Sequence, residues 1–330
     1  MLILGRKDVE SVLDGREDLV LDLVRDAYLV HADGGTALPH SIFLRFPEPE
    51  HERDRIIGLP AYLGGRQPVA GFKWVSSFPG NIASGLERAS AVIVLNSLAT
   101  GRAEALLDGT VVSARRTAAS AALAARKLTA DGTASGVTLF GCGAINFEVL
   151  RFLVAALPEL RAVTLFDLDP ARAEAFAERI AASWPALTVD RAADQDAAMA
   201  AQPVVSLATT AARPHLTTDA VRPGGVVLHL SLRDLTAESV LAARNVVDDT
   251  DHVSREATSI HLAEQRTGDR AFVHAEIGEL LREPGRSVDP DRVTVYSPFG
   301  LGILDLALAE AVRAEAARAG LGTAVSDFQG

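Results

Sequence analysis

Four strand-forming residues, Val137-Thr138-Leu139-Phe140, run directly into Gly141-Cys142-Gly143-Ala144-Ile145-Asn146. A buried strand that turns through Gly-x-Gly into a helix is the opening unit of a doubly wound α/β fold. The first glycine permits the tight turn. The second lets the backbone approach a pyrophosphate, whose charge meets free N–H groups and the dipole of a helix expected over Ile145–Val154. Asn146 stands where a third glycine is usual, so helix and strand are expected to pack slightly less closely. Gly-x-Gly is common by chance, and its weight therefore rests on what surrounds it.

The surroundings agree. From Val137 onward, short β-branched runs alternate with alanine-rich amphipathic stretches, the pattern of a parallel sheet covered by helices. Strands are expected at Val137–Phe140, Ala162–Phe166, Val204–Ala208, Val226–Leu232 and Asn245–Asp248, with helices at Pro170–Ser183 and Ala237–Arg244. Asp167 follows the second strand at close to the roughly 20-residue interval at which a carboxylate accepts hydrogen bonds from the adenosine ribose. It would also repel a 2′-phosphate, so NAD is expected over NADP. Asp167 could instead be a solvated strand end or an N-cap for the Pro170 helix. Cys142, beside an expected pyrophosphate, reads as a small filler and not as a catalytic thiolate.

Residues 1 to about 115 have a different texture: a helix around Leu19–His31, then extended runs at Ile56–Leu59, Val69–Val75 and Ala91–Asn96 broken by Gly and Pro. A last helix over Gly300–Ala319 carries leucines and alanines at helical spacing and can return to the first domain. The 330 residues, 48% hydrophobic and 23% charged, suffice for two domains with sizeable cores. A net charge of -11 argues against a nucleic-acid or anionic-membrane partner. One cysteine excludes an intramolecular disulfide, and cytoplasm is the default location. The N-terminus becomes charged too early for a signal peptide, and no apolar stretch reaches the ~18 to 20 residues of a bilayer span.

Several polar residues call for partners. Lys73, inside the apolar Gly71-Phe72-Lys73-Trp74-Val75, is costly to bury without an anion. Arg115 and Arg116 begin an alanine-rich helix, placed for bidentate recognition of phosphate or carboxylate, though one of them could simply be solvated. Asp248-Asp249-Thr250-Asp251-His252 matches no familiar ligand spacing, so no metal is expected.

The chain resembles the ornithine cyclodeaminase/mu-crystallin family through Gly71-x-Lys73-Trp74-Val75, Pro79-Gly80-Asn81, Arg116-Thr117-Ala118-Ala119, the glycine loop and Ser297-Pro298-Phe299-Gly300. Within it, the chain is most similar to the branch that makes 2,3-diaminopropionate for siderophores and peptide antibiotics, through Arg55-Ile56-Ile57, Glu87–Ile93, Val247-Asp248-Asp249 and His274–Leu280. The resemblance implies a Rossmann-type NAD-binding domain over 116–305. It also implies a mixed α+β substrate and dimerisation domain built from 1–115 together with 306–330, and a homodimer. The implied reaction is NAD-dependent oxidation of N-(2-amino-2-carboxyethyl)-L-glutamate, then hydrolysis to L-2,3-diaminopropionate and 2-oxoglutarate. A pyridoxal-phosphate-dependent synthase would supply that conjugate from O-phosphoserine and glutamate.

The residue roles that follow are implied by the same resemblance. Asp234 matches the family's catalytic aspartate and would accept protons from the amine and the attacking water; its plainer role is to N-cap the helix near Thr236, which Thr236 could do instead. Lys73 matches the lysine that holds the substrate carboxylate. The substrate has three carboxylates, so Arg45, His40 and Arg116 are further candidates, although Arg45, between phenylalanines, should alternate outward. Arg116 and Thr117 resemble the cofactor-phosphate contact, and Arg88 is a further phosphate candidate, with a solvated surface arginine as its plainer and stronger reading. Thr209 and Ser297 resemble contacts near the nicotinamide, with Ser231 and Leu232 also counted as cofactor contacts. Cyclodeaminases typically follow the aspartate with Pro-Gly-Lys, where this chain has Leu235-Thr236-Ala237, and His40 stands about where they have an arginine. Ornithine cyclisation is thus disfavoured. The same framework could also serve an alanine dehydrogenase, a ketimine reductase or a non-catalytic NAD(P)H-binding protein like mu-crystallin.

Overall fold

Eight parallel strands, among the residues described, make one sheet in the order Thr188–Arg191, Ala162–Phe166, Gly136–Phe140, Val204–Leu207, Val226–His229, Thr294–Ser297, Arg244–Val247, Val273–Glu276. The computed structural model describes residues 1–130 and 134–328. The central strands are buried along their whole length because helices cover both faces, which is why they read as continuous apolar runs without alternation. The chain works outward from Gly136–Phe140 to Thr188–Arg191, then returns to the other side of the first strand at Val204–Leu207. That reversal opens a crevice at the carboxyl ends of the two adjacent strands, where open α/β sheets bind ligands. The protein is α/β, with a doubly wound sheet in this unit.

The sheet belongs to one of two compact units, Thr117–Phe299; the other comprises Met1–Arg116 and Gly300–Gly330. Several strands differ in extent from the sequence expectation. Val226–His229 stops three residues short because the chain leaves the sheet through Leu232, whose φ is 68°. Val204–Leu207 and Arg244–Val247 each end one residue early. Thr188–Arg191, Val273–Glu276 and Thr294–Ser297 complete the sheet without having been anticipated.

In the first unit the order is Thr323–Ala324, Leu2–Leu4, Ala103–Asp108, Ala89–Asn96, Val69–Ser77, Arg55–Leu63, Thr36–Ala37, with Ile42–Arg45 also paired to Arg55–Leu63. The expected Ile56–Leu59 run is longer, Arg55–Leu63, and forms a hairpin with Val69–Ser77 in the register Leu59 to Lys73. Strand alternation turns Lys73 into the protein and Trp74 outward, 2% and 38% exposed. The Gly302–Ala319 helix lies on the inner face of this sheet, along with Glu17–Ala32. On the outer face Ile42, Leu44, Tyr62, Trp74 and Val92 form an exposed apolar patch. Among the described residues no helix is long and apolar enough to cross a membrane.

Candidate functional site

The glycine loop of the second unit has the form a dinucleotide requires. Gly141 has φ +86°, and a Cβ there would lie 2.6 Å from the Ala208 carbonyl oxygen, so turn and packing both demand glycine. Gly143 is the extended N-cap of the Ala144–Ala156 helix, with no side-chain capping bond and nothing within 4 Å of a Cβ built on it. Space therefore lies in front of a 13-residue helix whose first amides lack a side-chain cap. Asn146 does not loosen the loop. Its Nδ2 donates to the carbonyls of Phe140 and Gly141 at 2.7 and 2.8 Å, and its Oδ1 accepts from Ser206 Oγ at 2.7 Å, so the amide fills the place of the third glycine and fixes the turn.

Asp167 projects at the end of the next strand. Its Oδ2 accepts the Cys142 N–H at 2.8 Å and its Oδ1 the Asp169 N–H at 3.0 Å, while Asp169, not Asp167, caps the Pro170–Ser183 helix. Burial, reinforced by the Asp167 carboxylate, pushes the Cys142 thiol up to about 12, which leaves it neutral and unreactive. A loop that admits close backbone approach, uncapped helix amides and a carboxylate at the second strand together fit NAD.

A second group gathers beyond the strand ends. Asp234 is fully buried, and its Oδ1 accepts from the Thr209 hydroxyl, its Oδ2 from the Ser231 hydroxyl. The Asp234 N–H donates to His229 Nε2 at 3.1 Å, and the same Nε2 lies 3.3 Å from Oδ2. His229 Nδ1 is 3.3 Å from Ser297 Oγ. Burial raises the Asp234 carboxyl, but the His229 ring and the Ser231 and Thr209 hydroxyls outweigh it and hold the group below its ordinary value. Asp234 does no capping: Thr236 caps Ala237–Ala242, its Oγ1 accepting the Ser239 N–H at 3.2 Å. Leu232, at positive φ, shapes the turn that delivers Asp234, and its carbonyl accepts the Ser259 N–H at 2.7 Å. His229 escaped the sequence reading. The signal was present, a polar ring in the apolar run Val226-Val227-Leu228-His229, the same argument that singled out Lys73.

The first unit holds a charged cluster of its own. Lys73 Nζ donates to Asp305 Oδ2 at 2.8 Å and Ser113 Oγ at 3.1 Å, and Arg116 Nε donates to Asp305 Oδ1 at 3.1 Å. Asp305 is 0% exposed and Arg116 8%. Gly300 makes room for the guanidinium, since a Cβ there would lie 2.6 Å from Arg116 Nη1. Burial lowers the Lys73 ammonium to about 8, with Arg116 adding to the shift and Asp305 opposing it. Neither helix arginine is merely solvated: Arg115 is buried and pairs with Asp14.

The remaining candidates stand apart. Arg45 and His40 are exposed, Arg45 with its guanidinium 5.6 Å from the Phe43 ring centre, and neither joins Lys73. Arg88 donates to Ser77 Oγ at 2.9 Å within the first unit. Thr117 follows Arg116 on the same helix. Asp248 accepts the N–H groups of Asp249 and Phe299, and Asp249 caps Thr250–Val253, so these carboxylates serve the backbone. Among the described residues no group of three or more His, Cys, Asp or Glu is arranged to hold a metal.

The profile of the ornithine cyclodeaminase/mu-crystallin family matches residues 5–320. The N-((2S)-2-amino-2-carboxyethyl)-L-glutamate dehydrogenase of Staphylococcus aureus is 29% identical over 332 residues, 99% of this chain and 98% of that protein. The structure of Thermococcus litoralis Δ(1)-pyrroline-2-carboxylate reductase in complex with NADH and L-proline is similar at a TM-score of 0.90 and 25% identity, covering 98% of this chain and 100% of that one. An archaeal alanine dehydrogenase dimer with bound NAD is similar at 0.87 and 26%, covering 99% of each.

Proposed function

The chain belongs to the ornithine cyclodeaminase/mu-crystallin family, and from that footing we propose that it oxidises N-(2-amino-2-carboxyethyl)-L-glutamate with NAD and hydrolyses the product to L-2,3-diaminopropionate and 2-oxoglutarate. It is an NAD-dependent oxidoreductase acting on the CH–NH bond of an amino acid. The observation that carries the specific reaction is the end-to-end match to the Staphylococcus aureus dehydrogenase. The Leu235-Thr236-Ala237 sequence after Asp234, with Thr236 occupied as a helix cap, adds support against the cyclising reaction.

Bound NAD supplies the hydride acceptor. Residues Gly141 to Asn146 would hold its pyrophosphate and Asp167 its adenosine ribose. Asp234, kept ionised by His229, Ser231 and Thr209, accepts the proton of the substrate's secondary amine as its Cα–H leaves with the bonding electrons. Water adds to the resulting C=N carbon, and cleavage of that C–N bond releases the ketone and the amine. The balance is conjugate, NAD⁺ and water in, and 2,3-diaminopropionate, 2-oxoglutarate, NADH and one proton out. Lys73 and Arg116 bind a substrate carboxylate through donors that Asp305 and Ser113 leave unused. That reading assigns Arg116 to substrate in preference to cofactor phosphate, because it shares Asp305 with Lys73. Thr209 and Ser231 orient Asp234, while Ser297 holds the His229 ring at the nicotinamide end.

A second copy of the chain would cover the patch formed by Ile42, Tyr62 and Trp74, giving a homodimer. The setting would be cytoplasmic, downstream of a pyridoxal-phosphate-dependent synthase and upstream of siderophore or peptide-antibiotic assembly. The test is to mix the protein with NAD and the glutamate conjugate, expecting NADH absorbance and equimolar 2-oxoglutarate. Turnover confined to ornithine, giving proline and ammonia without net NADH, refutes the assignment, as does oxidation of alanine alone.

A further inference from the structure

We propose that Asp305 is the positioning residue of the carboxylate clamp: its two oxygens hold Lys73 and Arg116 side by side, so that their remaining N–H groups form one preassembled anion site. The inference rests on the reading of Lys73 and Arg116 as substrate-binding.

The geometry leads there from charge and valence. Lys73 and Arg116 bring two positive charges into the interior and Asp305 returns one negative charge, so the cluster keeps a net charge of +1 at three nearly or fully buried positions. A stray cation is rarely left in such a place without a purpose. The donor count gives the purpose. An ammonium has three N–H groups, and Lys73 directs two of them to Asp305 and Ser113. A guanidinium has five, and Arg116 engages Asp305 only through Nε, leaving both terminal nitrogens as donors. Asp305 thus takes the inner edge of each cation, and the outer edges match one incoming carboxylate, which would make the cluster neutral.

Asp305 comes from the first turn of the Gly302–Ala319 helix, Lys73 from a strand and Arg116 from the Gly109–Leu128 helix. A carboxylate bridging three separate elements fixes the distance between the two cations before substrate arrives, which lowers the ordering cost of binding. Among the described residues, the charged groups that act on Lys73 are Arg116, which disfavours its proton, and Asp305, which favours it.

The test uses the small number of lysines. Lys7, Lys73 and Lys127 are the only three in the chain, so a sample labelled with carbon-13 at lysine Cε gives a countable spectrum in which Lys73→Arg identifies one signal. In the wild type, Lys73 should titrate with a midpoint of about 8. In Asp305→Asn the midpoint should move to lower pH. KM for the glutamate conjugate should rise about tenfold at neutral pH, with a smaller change in kcat, as expected for loss of one charge-assisted arrangement. Asp305→Glu, which keeps the charge, should restore the midpoint further than it restores KM. A residue that only stabilised the fold would lower Tm and leave the Lys73 midpoint in place, and that result overturns the proposal. Should Asp305→Asn not fold, Arg116→Gln carries the test in the opposite direction: its Lys73 midpoint must rise, and an unmoved midpoint overturns the coupled cluster. The titration needs no substrate. A protein that ignores the conjugate refutes the assigned reaction while its Lys73 midpoint still decides the role of Asp305, and a Lys73→Met variant with unchanged KM refutes the substrate-binding premise separately.

Discussion

The two glycines of the cofactor loop, two residues apart, should fail in different ways when each receives one methyl group. At Gly141 the backbone sits at φ +86°, and the new Cβ would lie 2.6 Å from the Ala208 carbonyl oxygen. A non-glycine residue in that region costs ~1–3 kcal/mol, and relief of the contact requires the backbone to shift, so Gly141→Ala should lose about 3 kcal/mol. For a unit of this size that corresponds to a Tm drop of about 6 to 12 °C. At Gly143 the backbone is extended, φ −112°, with nothing within 4 Å of the added carbon. Gly143→Ala should therefore leave Tm unchanged or raised by the ~0.4–1 kcal/mol that a compatible glycine replacement brings. That carbon would instead occupy the space before the helix N-terminus, and loss of one charge-assisted contact to the pyrophosphate, ~1.5–3 kcal/mol, predicts a roughly ten- to hundredfold weaker NAD affinity. Differential scanning fluorimetry and NAD titration by tryptophan quenching separate the outcomes. A Gly143→Ala protein that binds NAD as tightly as wild type would refute the placement of the pyrophosphate at this helix.

Asp234→Asn should retain NAD affinity and lose ~10²–10⁴ in turnover; steady-state NADH formation checks it, and full activity removes the aspartate from proton transfer. Asp167→Ser should shift preference toward NADP, read as the ratio of kcat/KM for the two cofactors, since the repelling carboxylate is gone; the Cys142 amide also loses its acceptor at 2.8 Å, so NAD affinity should fall in the same variant. Cys142, neutral up to about pH 12 and 6% exposed, should resist Ellman's reagent in the native protein at mildly alkaline pH and release one equivalent on denaturation. Prompt reaction of the folded protein would contradict its burial.

Whether a feature was legible in the sequence depended on how local its cause is. The strand–glycine–helix unit is contiguous, and its requirement for glycine is set by neighbouring backbone, so Gly141 and Gly143 could be read directly. Asn146 was visible as a departure, but one of its three hydrogen bonds comes from Ser206 in another strand, which no local pattern indicates. Lys73 was recognisable as a cation in need of a partner, whereas Asp305, 232 residues away and set among the leucines of a helix, gave no sign of being that partner. Thr188–Arg191 was invisible because an edge strand buries little and can be mostly polar. Val226–His229 is shorter than its apolar run suggests because the residue that turns the chain is Leu232, a leucine in a conformation usually signalled by glycine.

One unit is made from both ends of the chain, and this bears on the order of synthesis. Once residue 299 is clear of the ribosome, every strand of the parallel sheet is available and that unit can fold. The first 116 residues must still wait, with Lys73 and Arg116 lacking their shared anion and the inner sheet face lacking the Gly302–Ala319 helix. The unit proposed to bind the cofactor is thus expected to mature before the unit proposed to select substrate. A chain truncated just short of Asp305 and released from the ribosome should protect its parallel sheet from proteolysis while its N-terminal segment remains cleavable.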